Sequence, residues 1–347
     1  MPTSSGSDKV VLALTLGDPG GVGPEVALKA VCSGQWPRRL ALVLVGDPMV
    51  LRDHAKRLAL PCPPEISLPL SSGDSLPPAA IWNPLRTSLR WHMGRTNRFH
   101  GRAAAAWVAA AVRGCLEGWF DGMVTAPLCK QSLAAAGFSH PGHTEYLAEL
   151  TNVRRYAMML IGGRLRVVLA TRHLPLRSVA GALTRSAVVD AGMLAARALP
   201  WLDGPRARLR PLAVCALNPH AGEGGVLGNE EQRVIQPAVT CLRRQGVDAR
   251  GPLSADAVFF HARRGDYGAV VAMYHDQGLG PLKTIAFDSG VNLTLGLPLV
   301  RTSPDHGTAF DIAGTGLADA GSMRAAVKLA WKLARRPNPW AGAGRRA

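Results

Sequence analysis

Residues Val270 to Gly316 read VVAMYHDQGLGPLKTIAFDSGVNLTLGLPLVRTSPDHGTAFDIAGTG. Val270 to Met273 is a short apolar run bounded by turn signals, which predicts a buried strand. His275 and Asp276 follow where that strand ends, and open α/β sheets bind ligands outside the carboxyl ends of their strands. Gly290 to Gly296 reads as a second strand flanked by glycines, and Arg301 follows a third apolar run, Leu297 to Val300. His306-Gly307-Thr308 then opens a glycine-rich loop that ends at Gly314. Packing alone does not call for so many polar side chains at strand ends, so this part of the chain is expected to carry a site.

Outward from it, strands and helices alternate. Val10 to Thr15 is a strand that runs into Gly17 to Glu25 (GDPGGVGPE), with a helix expected over Val26 to Ser33. Strand, glycine-rich turn and helix is the layout of an anion-binding loop. A tight strand-to-helix turn is the other reading, since neither GxGxxG nor GxxxxGK[ST] is present. Leu40 to Val45 is the next strand, with a helix near Met49 to Leu58. Residues 61 to 88 read as a long loop with room for one strand. Gly101 to Leu116 is alanine-rich and helical, and Met123 to Ala126 is a strand closed by Pro127, with Lys130 beyond it. His143-Thr144 opens a helix, which aims a hydroxyl and free amides at one spot. Strands over Arg164 to Thr171 and Pro211 to Leu217 end at His173 and at Asn218-Pro219-His220. Helices follow at Arg185 to Leu199, Gly228 to Arg244 and Met323 to Arg335, and the tail from Pro337 to Ala347 is expected to fray. The alternation predicts α/β layers.

With 347 residues, 47% of them hydrophobic, the chain can build one large or two medium domains. No apolar run approaches the ~20 residues of a membrane helix. The polar N-terminus and the Gly-Asp-Pro that ends the first apolar run do not read as a signal peptide, so a cytoplasmic protein is expected. Six cysteines form no CxxC pair, which argues against a zinc ribbon or disulfide framework and for small buried hydrophobes. The net charge is +16, but the arginines are scattered and no nucleic-acid-binding signature appears. Small anionic substrates are the more economical partners.

His173, His220 and His275 share one context, each just beyond an apolar strand: VVLATRH, AVCALNPH and VVAMYH. Three imidazoles with an open fourth position describe a catalytic divalent metal site. Asp276 and Glu223 are candidates to fix imidazole tautomers. His54, His92, His100, His140 and His261 lack this context and are expected at the surface.

At these residues the sequence resembles the 4-hydroxythreonine-4-phosphate dehydrogenase family of pyridoxal 5'-phosphate biosynthesis. The matching motifs are TLGDPGGVGPE, PGHTEYLAEL, LRVVLATRHLPL, LNPHAGEGG, AMYHDQG, Leu282-Lys283 and GVNLTLGLPLVRTSPDHGTAFDIAGTG, spread over about residues 10 to 330. Residues 61 to 100 match poorly, and the family's PVxK segment reads APLCK here, which keeps Lys130 and departs at Cys129. The resemblance implies an isopropylmalate dehydrogenase-like fold, not Rossmann, with two α/β/α-type domains around a central cleft. It implies a discontinuous cofactor-side domain, 1–135 plus about 300–347, and a metal- and substrate-binding, dimerising domain over about 136–299. The histidines at the three strand ends would hold a divalent metal (zinc, magnesium or cobalt). His143, Thr144, Lys283, Asn292 and Arg301 would contact substrate. The last loop is similar to the cofactor loop of isocitrate and isopropylmalate dehydrogenases, which puts NAD or NADP at His306, Gly307, Thr308 and Asp311. A homodimer is implied, with histidines of both chains in one site.

The implied reaction is oxidation of 4-phosphooxy-L-threonine at carbon 3 to a β-keto acid, which decarboxylates to 3-amino-2-oxopropyl phosphate. Lys283, expected one strand from His275, and Asp276 are the catalytic candidates. Either Lys283 or Arg301 could hold phosphate or carboxylate. A related dehydrogenase of 4-phospho-threonate or erythronate in sugar-acid catabolism has overlapping motifs and is the alternative. A metal-dependent hydrolase has no reason to carry HGTAFDIAG, and a phosphate-acyltransferase-like binding protein has none to carry three strand-end histidines.

Overall fold

The computed structural model describes residues 9–34, 36–70, 75–85, 87, 89–140 and 142–342. In chain order the elements begin β1 (Val10–Thr15), α1 (Gly23–Cys32), β2 (Leu40–Val45), α2 (Pro48–Leu58), β3 (Ala79–Trp82), α3 (Arg98–Leu116) and β4 (Gly122–Thr125). They continue α4 (Lys130–Ala135), α5 (His143–Leu150), β5 (Ala157–Gly162), β6 (Leu165–Leu169), α6 (Leu176–Ala182), α7 (Arg185–Asp203) and β7 (Leu212–Cys215). The last are α8 (Gln236–Arg244), β8 (Ala249–Leu253), α9 (Ala255–Arg264), β9 (Ala269–Ala272), α10 (His275–Ala286), β10 (Val291–Leu295), β11 (Arg301–Pro304) and α11 (Gly321–Ala334).

The chain forms two compact units, Met1–Asn152 with Leu299–Arg336, and Val153–Pro298 with the chain from Pro337 on. The first is discontinuous, but residues 136–152 belong to it rather than to the second. Helices α4 and α5 pack on α3, which carries this stretch with the first unit. The C-terminal segment goes with the second unit, where Trp340 is buried and packs edge-on against Trp201. Positions 343–347 of the tail expected to fray lie outside the described residues.

In the first unit the strands run β3-β2-β1-β4-β11, all parallel. Parallel strands covered on both faces read as unbroken apolar runs, and β2 (LALVLV) is buried at every position. β11 is the exception. Its sequence RTSP is polar and fully buried, so the apolar run Leu297 to Val300 only leads into the strand. Thr302 fits there because its hydroxyl donates to the Ala326 carbonyl of α11 at 2.9 Å.

In the second unit the order is β10-β5-β6-β9-β7-β8. β5 is antiparallel to both β10 and β6, and β6, β9, β7 and β8 are parallel. The β5–β6 hairpin turns at Gly163-Arg164, where Gly163 takes φ +57°, the conformation a two-residue hairpin needs. Among the described residues no single helix is long and apolar enough to cross a membrane.

Cys129 and Cys215 are buried, but Cys32, Cys115 and Cys241 are half-buried and Cys62 is exposed, so burial is not the general state of the thiols. His54 and His100 are fully buried, against the expectation of surface positions. His54 faces inward from α2 and stacks on Trp91 at 5.8 Å between centroids.

Candidate active site

β6, β9 and β7 are neighbours and parallel, so their carboxyl ends lie side by side. His173, His275 and His220 follow these three ends. Two buried side chains tie the ends together. Thr171 donates its hydroxyl to the Met273 carbonyl at 2.7 Å, joining the β6 end to the β9 end. Gln277 accepts from the Met273 amide and donates to the Ala216 carbonyl, both at 2.7 Å, joining β9 to β7.

The rings of His173 and His275 lie 5.5 Å apart between centroids. They line a cavity of about 60 Å³ with Thr171, Tyr274 and Asp276. Asp276 Oδ1 is 2.7 Å from His275 Nδ1, which holds the proton there and leaves Nε2 as the acceptor. His173 sits at φ +41° and His220 at φ +52°. Non-glycine residues held in this region cost of order 1–3 kcal/mol each and concentrate at functional sites. His220 begins a run through Gly224 in which every φ is positive. Glu231 anchors the approach to that run, accepting from the amides of Leu217 and Asn218 at 2.8 Å and from Asn218 Nδ2 at 3.0 Å. Burial pushes the Glu231 carboxyl up, but these bonds outweigh it and hold it below the ordinary range. The His220 side chain is 66% exposed, with Nδ1 3.6 Å from Glu223 Oε1. Among the described residues no group of three or more His, Cys, Asp or Glu side chains is placed to hold a metal ion within one chain.

Lys283 lies in α10 itself, in the same helix as His275 rather than one strand away, with its ammonium 5.5 Å from the centre of the Phe287 ring. Asn292 is buried in β10, and its Oδ1 has no hydrogen-bond partner among the described residues.

The first unit gathers the other substrate candidates. Arg301 opens β11 and is buried, its Nη2 donating to Thr125 Oγ1 at 2.7 Å and its Nε to the same oxygen at 3.2 Å. Burial pushes the guanidinium down to about 9, with Glu145 opposing. His143 starts α5. Burial and the nearby Arg301 hold it well below its ordinary value, so it is neutral, and its Nε2 is buried without a partner among the described residues. Gly142, not a side chain, caps α5, so Thr144 is buried without capping the helix. Thr125, at the end of β4, is a site residue that no sequence motif singles out.

In the His306 loop, His306 Nδ1 lies 3.0 Å from the Gly307 carbonyl while Nε2 is buried without a partner among the described residues. Gly307 faces open space, and Asp311 is exposed in a short helical turn. The Thr308 carbonyl accepts from Val22 N at 2.8 Å. That bond bears on the anion-loop reading of Gly17 to Glu25. The amides of Asp18, Gly20, Gly21 and Val22 are all used inside the protein, by Pro127, by Asp18 itself and by Thr308. The turn is a packing turn. A Cβ at Gly21 would come within 2.7 Å of the Thr308 carbonyl.

Residues 38–330 match the profile of the family described as pyridoxal phosphate biosynthetic protein PdxA. The chain belongs to this family. The 4-hydroxythreonine-4-phosphate dehydrogenase of Geobacter metallireducens is 43% identical over 330 residues, covering 93% of this chain and 95% of its own. That of Chromobacterium violaceum is 44% identical over 329 residues, covering 93% and 97%. The crystal structure of the Klebsiella pneumoniae 4-hydroxythreonine-4-phosphate dehydrogenase matches with a TM-score of 0.84 at 38% identity, over 96% of this chain and 100% of that one. The mixed α/β fold is therefore the family's own.

Proposed function

We propose that this family member oxidises 4-phosphooxy-L-threonine at carbon 3 with NAD or NADP, in pyridoxal 5'-phosphate biosynthesis. The β-keto acid so formed loses carbon dioxide to give 3-amino-2-oxopropyl phosphate. The relatives' names support this substrate over 4-phospho-threonate. The observation that carries the reading is the set of three neighbouring parallel strands, each followed by a histidine at its carboxyl end.

His173 and His275 suit a divalent cation such as zinc, magnesium or cobalt, because two imidazoles stand together and Asp276 fixes the tautomer of one. His220 would complete the set across a homodimer, a reading supported by its exposure and its separation from the other two within one chain. The bound ion would supply Lewis acidity that favours ionisation of the carbon-3 hydroxyl. The His306–Asp311 loop suits the dinucleotide, whose nicotinamide would accept the hydride. The unpartnered His306 Nε2 and the open space at Gly307 support that assignment.

The chain's own groups do the rest. Asp276 keeps the proton on His275 Nδ1. Arg301, fixed by Thr125, takes a substrate anion in bidentate fashion. Neutral His143, Thr144 and Asn292 offer hydrogen bonds that orient the substrate. Lys283 presents an ammonium to the charge left when carbon dioxide departs, or to the phosphate. A reaction among such solutes belongs in the cytoplasm. The test is purified protein with a divalent ion and NAD or NADP, assayed for reduced cofactor with each phosphate ester. Turnover with 4-phosphooxy-L-threonine is expected, and turnover with 4-phospho-threonate alone would overturn the substrate.

A further inference from the structure

The GDPGGVGPE motif ends in Glu25, whose side chain is fully buried in α1. A buried carboxylate is costly unless it is paired and hydrogen-bonded. Glu25 meets both conditions through one partner segment. Oε2 accepts from the amides of Gly314 at 3.1 Å and Gly316 at 3.4 Å, and Oε1 from that of Ala318 at 3.1 Å. Lys29, one turn along the helix, donates to Glu25 Oε1 at 2.8 Å and to the carbonyls of Gly316 and Ala318 at 2.6 and 2.8 Å. The carboxylate thus reads the amides of alternate residues of a segment of turns and bends, where Gly314 and Gly316 take φ +73° and +83°, and the ammonium reads two of its carbonyls. At the other end of the same segment, Val22 N holds the Thr308 carbonyl.

We propose that Glu25 and Lys29 are positioning residues for the nicotinamide dinucleotide. They fix the run 314–318, and with Val22 they hold the His306–Asp311 loop in the shape that receives it. This rests on the placing of the dinucleotide at that loop. A buried ion pair adds little net stability over apolar side chains of the same volume. What the pair contributes is register. Six charge-assisted bonds, one within the pair and five to one backbone run, set the position of that run against α1.

The test uses the full-length protein with three substitutions. Glu25→Gln keeps the shape but turns an acceptor into a donor facing amides. Lys29→Met keeps the stem and removes the donors. Gly307→Phe blocks the loop, in a place where an added Cβ meets nothing within 4 Å. Dissociation constants are measured for NAD, NADP and 4-phosphooxy-L-threonine, with amide hydrogen exchange at Gly314, Gly316 and Ala318. Both α1 variants should weaken dinucleotide by about tenfold or more, leave the substrate within about twofold, and speed exchange at those amides. Equal weakening of dinucleotide and substrate would mean a merely structural pair and overturn the proposal. If Gly307→Phe abolishes dinucleotide binding while both α1 variants bind it normally, the positioning role is wrong and the loop assignment stands. If none of the three changes dinucleotide binding, the loop assignment itself fails and the proposal with it.

Discussion

The imidazole rings of His173 and His275 lie 5.5 Å apart between centroids, although 102 positions separate Thr171 and Met273, the residues whose hydrogen bond joins the two strand ends. Alanine at either histidine should abolish binding of a divalent ion. Asp276→Asn should weaken it by about 10- to 100-fold, the usual effect of losing a partner that orients a ligand. Cobalt(II) absorbance during titration reads both. Unchanged affinity in Asp276→Asn would remove its role in setting the tautomer.

Arg301 is buried, with its guanidinium pushed down to about 9. A guanidinium stays charged through the ordinary pH range, so the shift means that burial makes the charge costly and a substrate anion welcome. Arg301→Lys keeps a charge but loses the planar fork, and should weaken binding of 4-phosphooxy-L-threonine by about tenfold or more. Calorimetric titration of the two proteins compares them. Unchanged affinity in Arg301→Lys would show that Arg301 does not meet the anion. Thr125→Val removes the hydroxyl that takes two guanidinium bonds, and should cost about 1.5–3 kcal/mol in substrate binding or stability.

The three strand ends are legible in the sequence because each is a short apolar run stopped by turn residues before a histidine. Their ring geometry is not, since periodicity carries no sign of the positive φ that His173 and His220 take. β11 escapes the pattern for the opposite reason. RTSP has no apolar residue but its last, Pro304, and the burial of Arg301 and Thr302 is made possible by Thr125 and Ala326, outside the strand. β5 (AMMLIG) is hidden too, behind the charged Arg154-Arg155. The glycines of GDPGGVGPE suggest an anion site because sequence shows which backbone is exposed by small residues, not which amides are already taken. His54 reads as a surface residue because a helix face, not a motif, decides its burial.

His54 is neutral in the fold, pushed down to about 4 by burial, and both ring nitrogens lack partners among the described residues. The unfolded chain binds a proton near pH 6.5, so stability should fall as pH drops from there toward 4, by about 3 kcal/mol in all. His54→Phe keeps the stack on Trp91 and should abolish that part of the acid sensitivity. Urea unfolding at pH 7 and pH 4.5 compares the two proteins. An unchanged pH dependence in the variant would mean that the sensitivity does not arise at His54.

Glu231 behaves in the opposite sense. Its carboxyl lies below the ordinary value of 4.5, so the stabilisation it gives the 217–220 segment is complete above that value and is lost as pH falls through the lower, folded one. Glu231→Gln should lower metal affinity at neutral pH while leaving the ring pair His173–His275 in place. Retention of full metal affinity in the variant would separate the His220 loop from the metal.

The most direct test of the central claim follows two products at once. With 4-phosphooxy-L-threonine, a divalent ion and NAD or NADP, absorbance reports reduced cofactor while trapped carbon dioxide is counted. One carbon dioxide per reduced cofactor, both abolished by chelation and restored by the ion, is the predicted result. Reduced cofactor formed while the β-keto acid accumulates intact, or full turnover after exhaustive removal of metal, would contradict it.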